Sequence, residues 1–261
     1  MHLFYYTLIF VISVFFLTGC LQQDEEYHIK TQVHLADFCR NSQFHLTDLR
    51  LFIHQVALQD FSGKWHDLQF NPEVTHQNRA VALLDFRQAM TSCEQQSENT
   101  PAIIGSLPKN NYQSIRFNLG VPFQENHADP LLATAPLDDT SMHWHWNGGY
   151  KFMRLELKSN QKSYRFHLGS LGCEGEIGQI NHCRVPNRIQ VQLDQFSPKN
   201  DVLTIDIAHL LKQTLSIAPP QRTCAEDMEP RWCQTTLSWL KALSWLKTKT
   251  PVHPALQSTK I

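Results

Sequence analysis

The chain has 261 residues, with 23 Lys and Arg against 24 Asp and Glu, and 42% of its residues are hydrophobic. The net charge of −1 excludes a basic nucleic-acid-binding field and an acidic solvating tail, and the apolar content suits a folded core rather than disorder. Fourteen His and seven Cys are the unusual counts.

Leu3 to Leu17 is a nearly unbroken apolar run that ends in Leu17-Thr18-Gly19-Cys20. Its length and small-residue end read as a secretory signal over residues 1–19, not a spanning helix. The Leu-Thr-Gly-Cys end resembles the bacterial lipoprotein box, in which the Cys becomes the first mature residue and carries the lipid. The lack of Lys or Arg before the run, where only His2 stands, departs from that pattern. Cys20 is therefore expected to be lipidated, residues 20–27 to form a tether, and the protein to sit in the periplasm or at the cell surface. Leu rather than Asp at position 21 favours the outer membrane.

Beyond the tether the pattern is mainly β. Leu49, Leu51 and Ile53 alternate with other residues, as do Ile115, Phe117, Leu119 and Val121. The same period recurs at Tyr164, Phe166 and Leu168, at Ile189, Val191 and Leu193, and at Leu203, Ile205 and Ile207. Period-2 alternation marks half-buried strands. Lys151 to Leu157 is a further strand candidate, and Gly, Pro, Asn and Asp clusters separate the runs. Such spacing predicts a single-domain antiparallel β-sandwich-like fold over residues 28–247. Trp232, Thr236, Trp239, Leu240, Leu243 and Leu246 fall on one helical face, which predicts a short C-terminal helix. Residues 248–261, with two Pro and no periodicity, read as a flexible tail.

Without Cys20, six Cys remain: Cys39, Cys93, Cys173, Cys183, Cys224 and Cys233. An even number in an exported chain argues for disulfides. Loop-closure cost favours near neighbours, which suggests Cys173–Cys183 and Cys224–Cys233 and leaves Cys39–Cys93 by elimination. Six Cys allow about 15 connectivities, so spacing alone does not settle the pairing. No CxxC spacing supports a Cys-based metal site.

No Gly-rich phosphate loop, G-x-S-x-G elbow or HExxH is present. The distinctive segment is Met142-His143-Trp144-His145-Trp146-Asn147-Gly148-Gly149-Tyr150. In an extended strand His143 and His145 would face one side, and Trp144 and Trp146 the other. His54 stands inside an otherwise apolar strand, where an unpaired imidazole is costly to bury. His127 lies in a polar loop after a strand. Imidazole suits copper, zinc and iron. A lone strand His is more often a hydrogen-bonded core or edge residue, and Trp pairs more often pack a core.

Several blocks together resemble the bacterial copper-binding MbnP-like family, the metallo-mystery pair four-Cys motif proteins. They are Asp48 to Leu58, Val81 to Phe86 with Cys93, Leu119 to Phe123 with Asn126-His127, and Pro136-Leu137 leading to Met142, Trp144, Trp146 and Gly149 to Phe152. His167 to Cys173 and Cys183 to Arg188 complete the set. Order and spacing hold from about residue 28 to 235, most of the expected mature chain.

The resemblance implies an exported copper-binding protein rather than an enzyme. Its partner would be a di-haem protein similar to cytochrome c peroxidase and MauG. That partner would oxidise Trp144 or Trp146 to kynurenine, which then helps hold copper. Intact indole offers only an N–H donor, whereas kynurenine exposes an aniline nitrogen and a ketone. Two imidazoles plus such a group suit Cu(I). His54 and His127 are the expected ligands, with His145 next and His143 after it. Gln55 stands where an aspartate is expected, which removes an obvious outer partner for His54. Two other functions fit the residues: a secreted copper oxidase or oxygenase using the same His cluster, and a disulfide-stapled scaffold lipoprotein. Against the oxidase, the carboxylates show no acid/base pair.

Overall fold

The computed structural model describes residues 23–34, 45–90, 100–159, 163–176, 178–207, 222–224, 234, 238 and 246–249. The signal, Cys20, Cys39, Cys93 and Cys233 lie outside the described residues, and of Cys224 only the backbone is described.

Seventeen strands account for most of what is described. They are β1 (Asp24–His34), β2 (His45–Asp60), β3 (Trp65–Asp67), β4 (Gln69–Phe70), β5 (Val81–Asp85), β6 (Ala102–Pro108), β7 (Tyr112–Leu119), β8 (His143–His145) and β9 (Gly149–Tyr150). There follow β10 (Met153–Lys158), β11 (Ser163–Leu168), β12 (Leu171–Glu176), β13 (Gln179–Val185), β14 (Ile189–Asp194), β15 (Val202–Asp206), β16 (Arg222–Cys224) and β17 (Leu246–Lys249). The larger sheet runs β14-β7-β2-β10-β11-β16, with β3 and β5 also pairing β2. The smaller runs β17-β15-β1-β6-β4. β12 with β13 and β8 with β9 form two separate hairpin sheets.

The alternating residues build the core as expected. Leu49, Leu51, Ile53, Phe117, Leu119, Phe166 and Val191 are all buried, and they join Ile29, Ile103, Leu203 and Ile205 from the smaller sheet in one cluster. Two apolar sheet faces closing on each other is the sandwich arrangement. β2 is the hub. Its 16 residues are buried almost continuously, as a central strand requires.

Four expectations need correction. The sheets are mixed, because β1 pairs with β15 and β11 with β16 in parallel. The domain starts earlier than residue 28, because Asp24 to Tyr27 already pair with β6; the expected tether therefore loses four residues to the sheet. Helical backbone at Gln234 and Ser238 agrees with the predicted helix, but Leu246 belongs to β17, antiparallel to β15. The edge of the smaller sheet captures it together with Thr248 and Lys249, so those two are strand rather than tail. A local periodicity does not report such a distant hydrogen-bonding edge.

Candidate metal centre

His54 sits mid-way along β2, opposite Val81 of β5 and Asn118 of β7. Its neighbour Gln55 has φ +51°, and the register with β7 shifts between His54 and Ala57. This irregularity, a β-bulge, re-aims side chains: Gln55 turns to solvent, its Oε1 accepting from Asn118 Nδ2 at 2.6 Å, while His54 stays inward at 4% exposure. Gln55 is therefore no partner for His54, as the substitution suggested. Neither His54 Nδ1 nor Nε2 has a hydrogen-bond partner. Burial first, and the Arg188 charge second, lower its pKa to about 4, so the ring is neutral at pH 7.

His127 follows the single turn α1 (Phe123–Asn126), against whose Phe123 ring it packs at 4.7 Å between centroids. It is 9% exposed, and its Nδ1 is buried without a partner. Nε2 lies 3.1 Å from Asn126 Nδ2 and 3.4 Å from Cys183 Sγ. Burial, again reinforced by Arg188, lowers its pKa to about 4. Burial thus moves imidazole protonation at both positions well below the range of a free imidazole.

Asn126 ties this region to the distinctive segment. Its Nδ2 donates to Gly148 O at 3.0 Å, and its Oδ1 accepts from Tyr150 N at 2.9 Å. Gly148 N in turn donates to His145 Nδ1 at 3.1 Å. The turn needs Gly149, whose φ is +76° and whose added Cβ would clash with Asn126 O. His145 is thus linked to His127 through two residues. His143 is placed elsewhere, its ring edge-on to Tyr150 at 5.2 Å.

The expected alternation of imidazoles and indoles fails at Trp146. β8 ends at His145, with an irregularity between His143 and His145. Trp146 therefore leaves in a turn and lines one cleft of about 410 Å³ together with His145, Ser170 and Cys173. It is 50% exposed. Trp144 is less exposed and packs where Gly169 leaves room, a Cβ there meeting its ring at 2.8 Å. The segment's base is held by cations. Arg50, itself buried, donates to Asp48 (2.6 Å), Asp139 (2.7 Å) and Ser141 Oγ (2.7 Å). Lys151 Nζ donates to the carbonyls of Ser141 and His143.

Sequence reasoning missed Arg188. Its Nε donates to Val121 O at 2.6 Å, and its Cζ lies 5.1 Å from the Phe152 ring centroid and 5.8 Å from that of Phe123. Its Nη2 is buried without a partner, and burial lowers its pKa. It lies in the quoted block from Cys183 to Arg188, but no periodicity gave it a role.

Buried polar atoms are normally hydrogen-bonded, and exceptions call for a cause. Among the described residues, His54 Nδ1, His54 Nε2 and His127 Nδ1 are three of five such exceptions. A neutral imidazole offers one lone-pair nitrogen, the donor a copper or zinc ion requires. His127, Cys173 and Cys183 also place one potential ligand atom each within 4.8 Å of one another. In this state the two sulfurs form a disulfide, which confirms that expected pair and leaves no thiolate to bind a metal.

A profile of the MbnP family matches residues 20–227, so the chain belongs to the MbnP family. Among solved structures, MbnP from Methylosinus trichosporium is similar, at 23% identity and a TM-score of 0.62, covering 73% of this chain and 78% of that one. That likeness is one of fold. No curated protein matches the chain.

Proposed function

We propose, from membership of the MbnP family, that the chain is an exported copper-binding lipoprotein with no turnover of its own. Family membership supports the copper-related role. The observation that carries the site is the pair of buried, neutral imidazoles, His54 and His127, with three ring nitrogens lacking any partner. Burying them so costs about 1–3 kcal/mol per unsatisfied group, a cost that a bound ion offsets. Both would hold the copper, with kynurenine formed from Trp144 or Trp146 as a further ligand. Copper there supplies a soft cation site, and two imidazoles with few other ligands suit Cu(I).

The chain's own residues prepare that site. The bulge at Gln55 keeps His54 inward. Asn126 fixes the loop that carries His127 against the Gly148–Tyr150 turn. Of the two indoles, Trp146 is the more open to an outside oxidant, being half-exposed, and we assign the modification to it. The oxidant is a di-haem partner of the peroxidase and MauG type, and Cys20 carries the lipid that holds the chain at the membrane. Stable anchoring needs more than one acyl chain.

Co-expression with the haem partner tests the reading. His54→Ala and His127→Ala should each lose most of the copper measured by elemental analysis. Intact mass should show one carbon exchanged for oxygen, and Trp146→Phe should abolish it while Trp144→Phe does not. Full copper in both His variants would overturn the site.

A further inference from the structure

The sulfur pair beside His127 carries chemistry that the copper reading does not use. Cys173 and Cys183 are directly opposite partners in the β12–β13 hairpin. Backbone pairing therefore holds the two sulfurs together whether or not they are bonded. His127 Nε2 is 3.4 Å from Cys183 Sγ. Two ligands on one tetrahedral thiolate–imidazole metal, with bonds of about 2.3 Å to sulfur and about 2.0 Å to nitrogen, sit roughly 3.5 Å apart. The nitrogen is thus already at ligand spacing from one sulfur. The two sulfurs, now bonded to each other, would have to separate to roughly 3.8 Å by the same bond lengths. That movement falls on a hairpin outside both large sheets, most of whose residues are exposed.

We propose that two-electron reduction of the Cys173–Cys183 disulfide creates a two-thiolate, one-imidazole site for Cu(I) at His127. Only the choice of copper rests on the function proposed above. The reductant is a dithiol of the thiol–disulfide oxidoreductase class. Its thiolate attacks the sulfur of Cys173, a residue of the open cleft that also holds His145 and Trp146, and Cys183 leaves as the thiolate. The second thiol of the reductant then closes its own disulfide and frees Cys173. The two protons of the dithiol pass to the protein thiols and are released when one Cu(I) binds both sulfurs. Thiolates are the soft donors Cu(I) prefers. Asn126 Nδ2 gives up its contact with Nε2 but keeps Gly148 O. Reduction then makes copper affinity depend on the thiol poise of the compartment.

The test uses the full mature chain under anaerobic conditions, with Cu(I) titrated against a chromophoric chelator before and after phosphine reduction. Reduction should raise Cu(I) affinity at least about tenfold, a gain of about 1.4 kcal/mol. The Cys173→Ser/Cys183→Ser double variant, reduced alike, should lose that gain and keep the affinity of the oxidised parent. Equal Cu(I) affinity for the reduced parent and the reduced double variant would overturn the proposal. X-ray absorption at the copper edge of the reduced parent, which needs no variant, should show sulfur neighbours; nitrogen and oxygen neighbours alone would also overturn it. Failure of the His54–His127 reading is seen separately, as loss of copper binding by the oxidised protein.

Discussion

Replacing His54 with Leu should stabilise the metal-free protein while removing its copper. The side chain is 4% exposed and both of its nitrogens are unpartnered. Leu has a similar size and needs no partner in an apolar strand. Removing the unsatisfied groups recovers about 1–3 kcal/mol at pH 7. A second contribution depends on pH. The folded pKa is about 4 against about 6.5 for a free imidazole. The folded value is the lower one, so the unfolded chain takes up the proton first. The stability that the neutral ring confers is whole above about pH 6.5 and is lost as pH falls towards 4. The difference corresponds to about 3 kcal/mol. Leu takes up no proton, so the advantage of His54→Leu should widen from pH 7 to pH 4.5. Urea unfolding of the apo protein at both pH values measures it, and elemental analysis measures the copper. A variant less stable than the parent at both pH values would refute the reasoning, because His54 would then be a packing residue with a partner. Retention of copper would refute the ligand role.

Arg188→Met should raise the pKa of both His54 and His127, because the guanidinium charge lowers both; imidazole proton shifts in an NMR titration report it, and unchanged values would remove Arg188 from the site. Gly149→Ala should cost about 1–2 kcal/mol for the left-handed backbone alone, and more because its Cβ meets Asn126 O; thermal unfolding and copper loading should fall together. Arg50→Met should destabilise by about 3–5 kcal/mol, since Asp139 loses its cation and keeps only Ser141, while Asp48 keeps Arg154; a shift under about 1 kcal/mol in urea unfolding would mean that the buried pair contributes little. Cys20→Ser should release the chain from membranes or block its processing, read by fractionation, and unchanged retention would count against lipidation.

Strand positions were legible because a strand writes its buried face into the sequence every second residue. Leu49, Leu51 and Ile53, or Phe166 and Leu168, need no knowledge of their partners to be placed. Cys173–Cys183 was legible because its short separation in sequence makes closure inexpensive. The family could be read from the order of the matching blocks, and the burial of the His54 imidazole from the apolar run around it. The tertiary structure alone decided the rest. That β17 belongs to the smaller sheet, that Trp146 shares a cleft with His145, and that Arg188 bears on both His54 and His127 all depend on elements far apart in the chain. Asn126 acquires its role only because the Gly148–Tyr150 turn folds onto it. Alternation and turn chemistry fix local conformation, within a few residues. A site is a convergence of side chains whose distances are set by sheet register and bulges, and these are properties of paired strands rather than of either strand alone.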